Sequence, residues 1–389
     1  MNHYKHFYVV ALFFYLSVSL CYALSRKNLH LVQEYKVSEC VGLGRHSDNA
    51  SVDYEASGVI KVQNQLYLVF DNMPTVAIVD EALQINCINA SGTLLSLSAM
   101  LNQPVDHLGA TNLLNLESSV SASTVEIGFE AITVLNDTLI VVQEIDTEST
   151  ALKARVKTYT MPAFESKLSD HLLDYLFDSE NKGIEGVAVV NIGTKHFLFA
   201  LCEGNYCAAG NASREPGHGT ILVYYQNSTA DAWIYNDKIH LPLNLLFTDF
   251  SGMDVQTSTE SMGLTGDLAV VSQESHGLFV GTYVALADTN RPSGFAFHMP
   301  TDAASNALYL FPKKYCNIEG ITFLDGNKIA VVSDKTKLHQ NIECEEKDQS
   351  VHIFWLGEEM VSADVVESVA GDNLEASVMR EVDVQHHVV

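Results

Sequence analysis

Apolar and polar residues alternate in short runs along most of the chain, and one such run recurs five times. Its clearest copy is Asn317-Ile318-Glu319-Gly320-Ile321-Thr322-Phe323, then Gly326-Asn327-Lys328, then Ile329-Ala330-Val331-Val332-Ser333-Asp334. An acid opens an alternating strand, a polar turn reverses the chain, an apolar strand returns, and a second acid closes the unit. The first copy runs from Tyr54-Glu55-Ala56-Ser57-Gly58-Val59-Ile60 to Leu66-Tyr67-Leu68-Val69-Phe70-Asp71. The second runs from Phe129-Glu130-Ala131-Ile132 to Leu139-Ile140-Val141-Val142-Gln143-Glu144, and the third from Ile184-Glu185-Gly186-Val187 to Phe197-Leu198-Phe199-Ala200-Leu201-Cys202-Glu203. In the fourth, Ser251 stands where an acid opens the others; Phe250-Ser251-Gly252-Met253-Asp254 leads to Leu268-Ala269-Val270-Val271-Ser272-Gln273-Glu274, with Glu274 read as the closing acid. Asp254, three residues on, has the opposite face parity from Ser251.

Each copy continues into a third extended run: Val76–Val79, Ala154–Tyr159, Ile221–Tyr225, Gly277–Tyr283 and Val351–Trp355. Five units of at least three antiparallel strands, spaced roughly 55 to 75 residues apart, predict an all-β chain built as a β-propeller with one blade per copy. Residues 88–128 and 284–315 leave room for a sixth blade. The segment Ser169–Phe177 reads as a short helix or loop. Leu29–Val37 alternates like a strand yet has no repeat of its own, so it is expected to close the ring by joining the last blade, which removes two open sheet edges. The propeller is thus expected over residues 24–356, with an acidic tail over 357–389.

Composition places this fold in a compartment. Of 389 residues, 47% are hydrophobic, ample for one large core. Lys5 precedes an apolar run from Phe7 to Val18, and Cys21-Tyr22-Ala23 offers small residues for cleavage, so residues 1–23 read as a signal peptide. Six cysteines remain, an even count that in a secreted chain reads as three disulfides. Proximity along the blades favours Cys40–Cys87, Cys202–Cys207 and Cys316–Cys344. Five glycosylation sequons, at Asn49, Asn89, Asn136, Asn211 and Asn227, fit the same extracellular setting. The formal net charge of −26 argues against nucleic-acid and anionic-membrane partners, which need basic surface. A soluble, monomeric, secreted glycoprotein is the expectation.

The acids carry the candidate chemistry. In an antiparallel hairpin the start of one strand and the end of the next lie together. Glu55 with Asp71, Glu130 with Glu144, Glu185 with Glu203, and Glu319 with Asp334 are therefore expected at one mouth of the central channel. So many carboxylates repel unless compensated. A bound hard cation such as Ca²⁺ or Mg²⁺ is one means; basic neighbours such as Lys182, Arg214, Lys335 and Lys337, or backbone N–H groups, are another. Raised pKa values are the third, and they fit a carboxyl for general acid work. Bracing of blade to blade is the plainer role for any single acid. His46, His218 and His276 fall in the matching loops, and His276 is placed to serve as acid, base or ligand. No GxSxG elbow surrounds Ser272 or Ser333, and Gly42-Leu43-Gly44 lacks the helix of a phosphate-binding loop.

The segments YEASGVI…LYLVFDN, IEGVAVV…LFALCEGN and IEGITFL…KIAVVSD resemble the blade motifs of phytase-like β-propellers, including the esterase-like phytase and SdiA-regulated groups. The five-fold count is also similar to that of calcium-activated nucleotidase propellers. The resemblance implies a Ca²⁺-associated channel mouth and hydrolysis of a small-molecule ester. On that reading Glu130, Glu185 and His276 are the catalytic candidates, and Glu55, Asp71, Glu203, Glu319 and Asp334 the metal ligands. A basic phosphate-binding cluster is not evident in the sequence. The competing reading is a non-enzymatic extracellular propeller that binds a protein or glycan.

Overall fold

The computed structural model describes residues 24–37, 54–81, 113–116, 128–145, 151–161, 167–179, 182–227, 232–300, 306–338 and 340–357. The signal segment, His46, Cys40 with Cys87, the sequons at Asn49 and Asn89, and the tail from 358 onward lie outside the described residues.

Among the described residues, twenty-two strands form five sheets. Two precede the first repeat: β1 (Ser25–Lys27) and β2 (Leu29–Lys36). Blade 1 runs outward through β3 (Ala56–Val62), β4 (Gln65–Phe70), β5 (Met73–Asp80) and β6 (Leu113–Asn115). Blade 2 comprises β7 (Ala131–Leu135), β8 (Thr138–Gln143), β9 (Arg155–Thr160) and β10 (Lys167–Leu172). Blade 3 comprises β11 (Ile184–Ile192), β12 (Lys195–Cys202), β13 (Thr220–Asn227) and β14 (Ala232–His240). Blade 4 holds β15 (Gly252–Thr257), β16 (Thr265–Ser272), β17 (Gly277–Ala287), β18 (Phe295–His298) and β19 (Ala307–Leu310). Blade 5 holds β20 (Ile318–Leu324), β21 (Lys328–Ser333) and β22 (Ser350–Leu356).

The ring closes as the pattern predicted. Strand β2 is the outermost strand of blade 5, antiparallel to β22 with Leu29 opposite Leu356. The chain then adds a contact the sequence did not announce: β1 pairs in parallel with β19, so the N-terminal segment ties blade 5 to blade 4. No sixth blade exists among the described residues; β18 and β19 extend blade 4 and β6 completes blade 1. Ser169–Phe177 is corrected as well. Its first part belongs to β10, an outer strand with Lys167, Leu168 and Leu172 exposed and Ser169 and Asp170 half-buried, so polar and apolar residues do not alternate cleanly.

The second strand of each blade explains why the repeats are so apolar. On β12, Phe197, Phe199 and Leu201 pack toward blade 4, while Leu198, Ala200 and Cys202 pack toward blade 2. On β21, Ile329 and Val331 face blade 4, and Ala330 and Val332 face blade 1. A strand buried on both faces needs a continuous hydrophobic run. The five core clusters each fill one junction between neighbouring blades, so burial of apolar surface, the main favourable term in folding, is what holds the ring together. Disulfides Cys202–Cys207 and Cys316–Cys344 form as expected, with Cα–Cα distances of 5.2 and 5.5 Å. Both follow or precede channel-end strands and tether the loops there. Asn136 is exposed in a turn and Asn211 is exposed in a short helix, Gly210–Ser213.

The inner strands β3, β7, β11, β15 and β20 contact one another in that order around the ring. Their close approach depends on small residues. A Cβ on Gly320 would lie 2.9 Å from the Gly58 Cα, and one on Gly252 would lie 2.3 Å from the Glu319 carbonyl oxygen. These glycines bring the strand heads together, and the residue just before each one carries the site.

Candidate functional site at the channel mouth

Strand register defines which residues are equivalent. The pairing shifts by one residue at Ser57, Glu185 and Glu319, each an extra residue between two paired positions. In blades 2 and 4 the amides of Glu130 and Ser251 bond to Val142 and Val271 at the same place. The equivalent set is therefore Ser57, Glu130, Glu185, Ser251 and Glu319. Glu55 lies two residues before this position, not in it. Blade 1 resembles blade 4: both present a serine whose hydroxyl donates to the carbonyl preceding the next glutamate in ring order, Ser57 to Phe129 and Ser251 to Ile318, the latter at 2.7 Å. These two serines brace neighbouring blades.

The three glutamates converge. Carboxylate oxygens of Glu130, Glu185 and Glu319, from three different blades, lie within 4.8 Å of one another. A second group, Glu144, Glu185 and Glu203, meets the same limit and shares Glu185. A third, Glu55, Asp71 and Asp334, gathers at the seam of blades 1 and 5. The eight paired acids expected at the mouth are thus in one of three clusters, and Glu274 is in none.

At the end of the second strands the register aligns Asp71, Glu144, Glu203, Gln273 and Asp334. The blade 4 member is Gln273, which corrects the reading of Glu274 as the closing acid. The Gln273 amide donates to Glu319 Oε1 at 2.6 Å. Glu274 turns away, 43% exposed, and pairs with Arg214 at 2.8 Å. A further acid escaped the sequence reading: Asp249 accepts the Ser272 hydroxyl and, at 3.0 Å, the Glu274 amide. Asp254 is a brace: its Oδ2 accepts the Thr322 hydroxyl and the Phe323 amide, both at 2.8 Å, and so fastens blade 4 to blade 5.

Two kinds of compensation are in place. Lys182 pairs with Glu203, Lys335 with Glu55, and the Lys337 ammonium lies 3.7 Å from Glu319 while donating to Gln273 Oε1 at 3.1 Å. The Gly183 amide donates to Glu144 Oε1 at 2.8 Å. The pKa values also shift. Burial first, then the charges of Glu144, Asp71, Glu319 and Glu203, hold the Glu130 carboxyl well above the usual range. Burial and Glu130 do the same to Glu185. Burial and Glu203 push Glu144 up to about 7 against the Gly183 amide and Lys182. Glu319 rises to about 8 through burial and Asp334, despite Lys337. Burial raises Glu203 and Asp249 too, partly offset by Lys182 and Ser272. Glu130 and Glu185 differ from the rest in having no hydrogen-bond donor among the described residues. Glu185 is 9% exposed and Glu130 half-buried, and carboxylates crowded in this way fit an added cation or proton. The all-carboxylate donor set suits a hard ion of the Ca²⁺ or Mg²⁺ type.

His276 occupies a turn at φ +48, its amide bonded to Gln273 O and its carbonyl to the Phe311 amide; no hydrogen bond or ion pair joins it to a mouth carboxylate. His218 stacks on Tyr206 with ring centroids 4.1 Å apart. A third, His352, forms a line that sequence reading missed: Ser333 Oγ lies 3.2 Å from His352 Nε2, and His352 Nδ1 lies 3.3 Å from Glu34 Oε2. The order imitates a nucleophile, base and acid. Both Ser333 and His352 have 0% exposure, and Ser333 donates to the Lys347 carbonyl at 2.6 Å, so no substrate reaches the hydroxyl. This is a latch between β21, β22 and β2.

No protein-family model matches the chain, and no curated protein matches it. Among solved structures, it is similar to glutaminyl cyclase from Myxococcus xanthus, with 9% identity, TM-score 0.40, and coverage of 85% of this chain and 97% of that one. An aldose sugar dehydrogenase from Streptomyces coelicolor gives 11%, 0.41, 86% and 99%, and a GH43_1 enzyme from Xanthomonas citri gives 9%, 0.40, 82% and 92%. At such identities and scores the likeness carries no argument about chemistry, which rests on the site itself.

Proposed function

We propose that this propeller is a secreted, divalent-cation-dependent hydrolase of small esters, with its centre at the glutamates of the channel mouth. The observation that carries the reading is the convergence of Glu130, Glu185 and Glu319 within 4.8 Å, with no hydrogen-bond donor on the first two. Ca²⁺ is the proposed ion. The motif resemblance to phytase-like propellers supports the reaction class, and the two disulfides support an oxidising compartment.

When bound, Ca²⁺ polarises the ester oxygen and makes water more acidic. The protein's part is to supply and position charge. Glu130 and Glu185, whose carboxyls burial and neighbouring charges hold above the usual range, would have to be ionised to hold the cation. Glu319 is held in place by Gln273 and Lys337, and Glu203 by Lys182. Lys337, which donates to Gln273 and lies 3.7 Å from Glu319, keeps a further ammonium proton that could be donated to a substrate oxygen. Glu55, Asp71 and Asp334 lie at the seam and are read here as a charged border that Lys335 partly neutralises. His276 has no part in this scheme.

Melting of the secreted protein in Ca²⁺ and in chelator tests the proposal. An ion at 100 times its dissociation constant stabilises by about 2.7 kcal/mol. Glu130→Gln is expected to abolish both this shift and ester turnover while secretion continues. Turnover unchanged in Glu130→Gln would remove that residue from the site, and an absent Ca²⁺ shift would remove the metal.

One observation favours the non-enzymatic reading. Tyr206, Leu243, Leu246, Leu338 and Ile342 are exposed on loops at the same end as the acids. Turnover that survives their replacement by serine, together with no captured protein or glycan, would count against it.

A further inference from the structure

We infer that the ring seam is a pH-sensitive clasp: His352 is a buried imidazolium that donates from both ring nitrogens and pairs with Glu34 of the N-terminal strand. The clasp lies away from the channel mouth and does not depend on the cation reading.

The positions of donors and acceptors assign the charge. His352 on β22 stands directly opposite Glu34 on β2 and has 0% exposure. Its Nδ1 lies 3.3 Å from Glu34 Oε2. The Glu34 carboxyl, drawn down to about 2 by His352 and Lys347, is ionised at neutral pH and can only accept. Nε2 lies 3.1 Å from the Lys347 carbonyl oxygen, which also can only accept. The other neighbour of Nε2 is Ser333 Oγ at 3.2 Å. That hydroxyl gives its one proton to the same Lys347 carbonyl, at 2.6 Å, and accepts the Ser350 amide at 3.3 Å. Both ring nitrogens therefore face acceptors. A neutral imidazole has one donor nitrogen and one acceptor nitrogen, so either tautomer would set two acceptors against each other inside the protein. Only the imidazolium satisfies both sides.

Three titratable side chains surround the ring. Glu34 comes from β2, Lys347 from the turn before β22, and Tyr315 from the segment before β20, its ring edge-on to His352 with centroids 5.0 Å apart. The Lys347 ammonium pairs with the second Glu34 oxygen and opposes a charge on His352. Burial is the largest influence on the ring and pushes its pKa down, while Glu34 and the Lys347 carbonyl pull it up. The contacts decide for the charged form, because the neutral ring is buried just as deeply and loses a hydrogen bond on one side.

Stability held by a group whose folded pKa is raised is complete below its unfolded pKa and is lost as pH rises through the folded one. Deprotonation of His352 would remove one of the two cations that hold Glu34. Strand β2 would then keep its backbone pairing to β22 but lose the buried ion pair. The seam is closed most firmly on the acid side and loosens toward alkaline pH.

The full secreted chain, carrying ¹⁵N-labelled histidine, is read by long-range ¹H–¹⁵N magnetic resonance, with the His352 signals identified by their loss in His352→Gln. Both nitrogens are expected at the protonated shift at pH 7, with a midpoint about one unit above the ordinary value of about 6.5. Glu34→Gln should lower that midpoint by about one unit, a shift that a purely packing role would not produce; it also identifies the signals if His352→Gln fails to fold. Hydrogen exchange of β2 and β22, corrected for base catalysis, should lose about tenfold protection across the midpoint in the natural chain and show no such step in Glu34→Gln. A neutral His352 ring at pH 7 overturns the imidazolium. A charged ring whose titration leaves β2 exchange unchanged overturns the clasp.

Discussion

Glu34 shows how much one side chain at the ring seam contributes. On β2 it meets Lys347 and the buried His352, and these partners pull its carboxyl down to about 2. A group depressed in the folded state adds stability above its unfolded pKa and loses it as pH falls through the folded one. Glu34→Gln is expected to cost about 1.5–3 kcal/mol near neutrality, the range for hydrogen bonds to charged groups, read as a lower urea midpoint; no change would reduce the latch to packing. Residues also mark where the sequence was legible. Glu130, Glu185 and Glu319 stood out because each precedes a small residue at the head of an apolar strand. Ser57 did not, since Glu55 supplied a nearby acid and a one-residue bulge shifts register without changing composition. The Ser-Gly pair shared by Ser57-Gly58 and Ser251-Gly252 is the signal that aligns blades 1 and 4. Gln273 was passed over for Glu274 for the same reason: charge was weighed above strand position.

Among elements, the inner strands are the most constrained. Gly252→Ala would place a Cβ 2.3 Å from the Glu319 carbonyl oxygen, in backbone that has no flexible end to yield. The expected cost is about 1–3 kcal/mol with displacement of Glu319, visible as a lower melting temperature and weaker Ca²⁺ stabilisation together. A normal Ca²⁺ shift in a destabilised Gly252→Ala would separate strand spacing from the site. The hairpins of the inner two strands were readable because burial on two faces writes an unbroken apolar run. Outer strands were not: β10 mixes polar residues into its run, and β18 is only the four residues Phe295–His298, too short to show a period. Strand β1 was invisible for another reason: three residues, Ser25–Lys27, take their order from β19 rather than from any pattern of their own.

For the whole molecule, buried acids make stability depend on pH in an unusual direction. Asp254 at about 6, Glu144 at about 7 and Glu319 at about 8 all lie above their unfolded values, so the folded chain binds more protons than the unfolded one between roughly pH 4 and 8. Unfolding free energy in chelator should therefore fall as pH rises through that window. Urea midpoints at pH 5 and 8 check this, and a midpoint that rises toward pH 8 would contradict the burial of these carboxyls. On the proposed cation site, Ca²⁺ should reverse the fall, with its stabilisation growing with pH, because carboxyl ligands must first lose their protons.

The N-terminal strand has a consequence in time. Leu29 emerges from the ribosome among the first residues of the fold, yet its partner Leu356 comes last. At about 5–20 residues per second, β2 waits some tens of seconds while four blades assemble beside it. Through that interval β2 lacks its partner β22, and any other extended chain competes for its edge. That edge is covered in one late event, when the first strand of blade 5 to be made is used as its last.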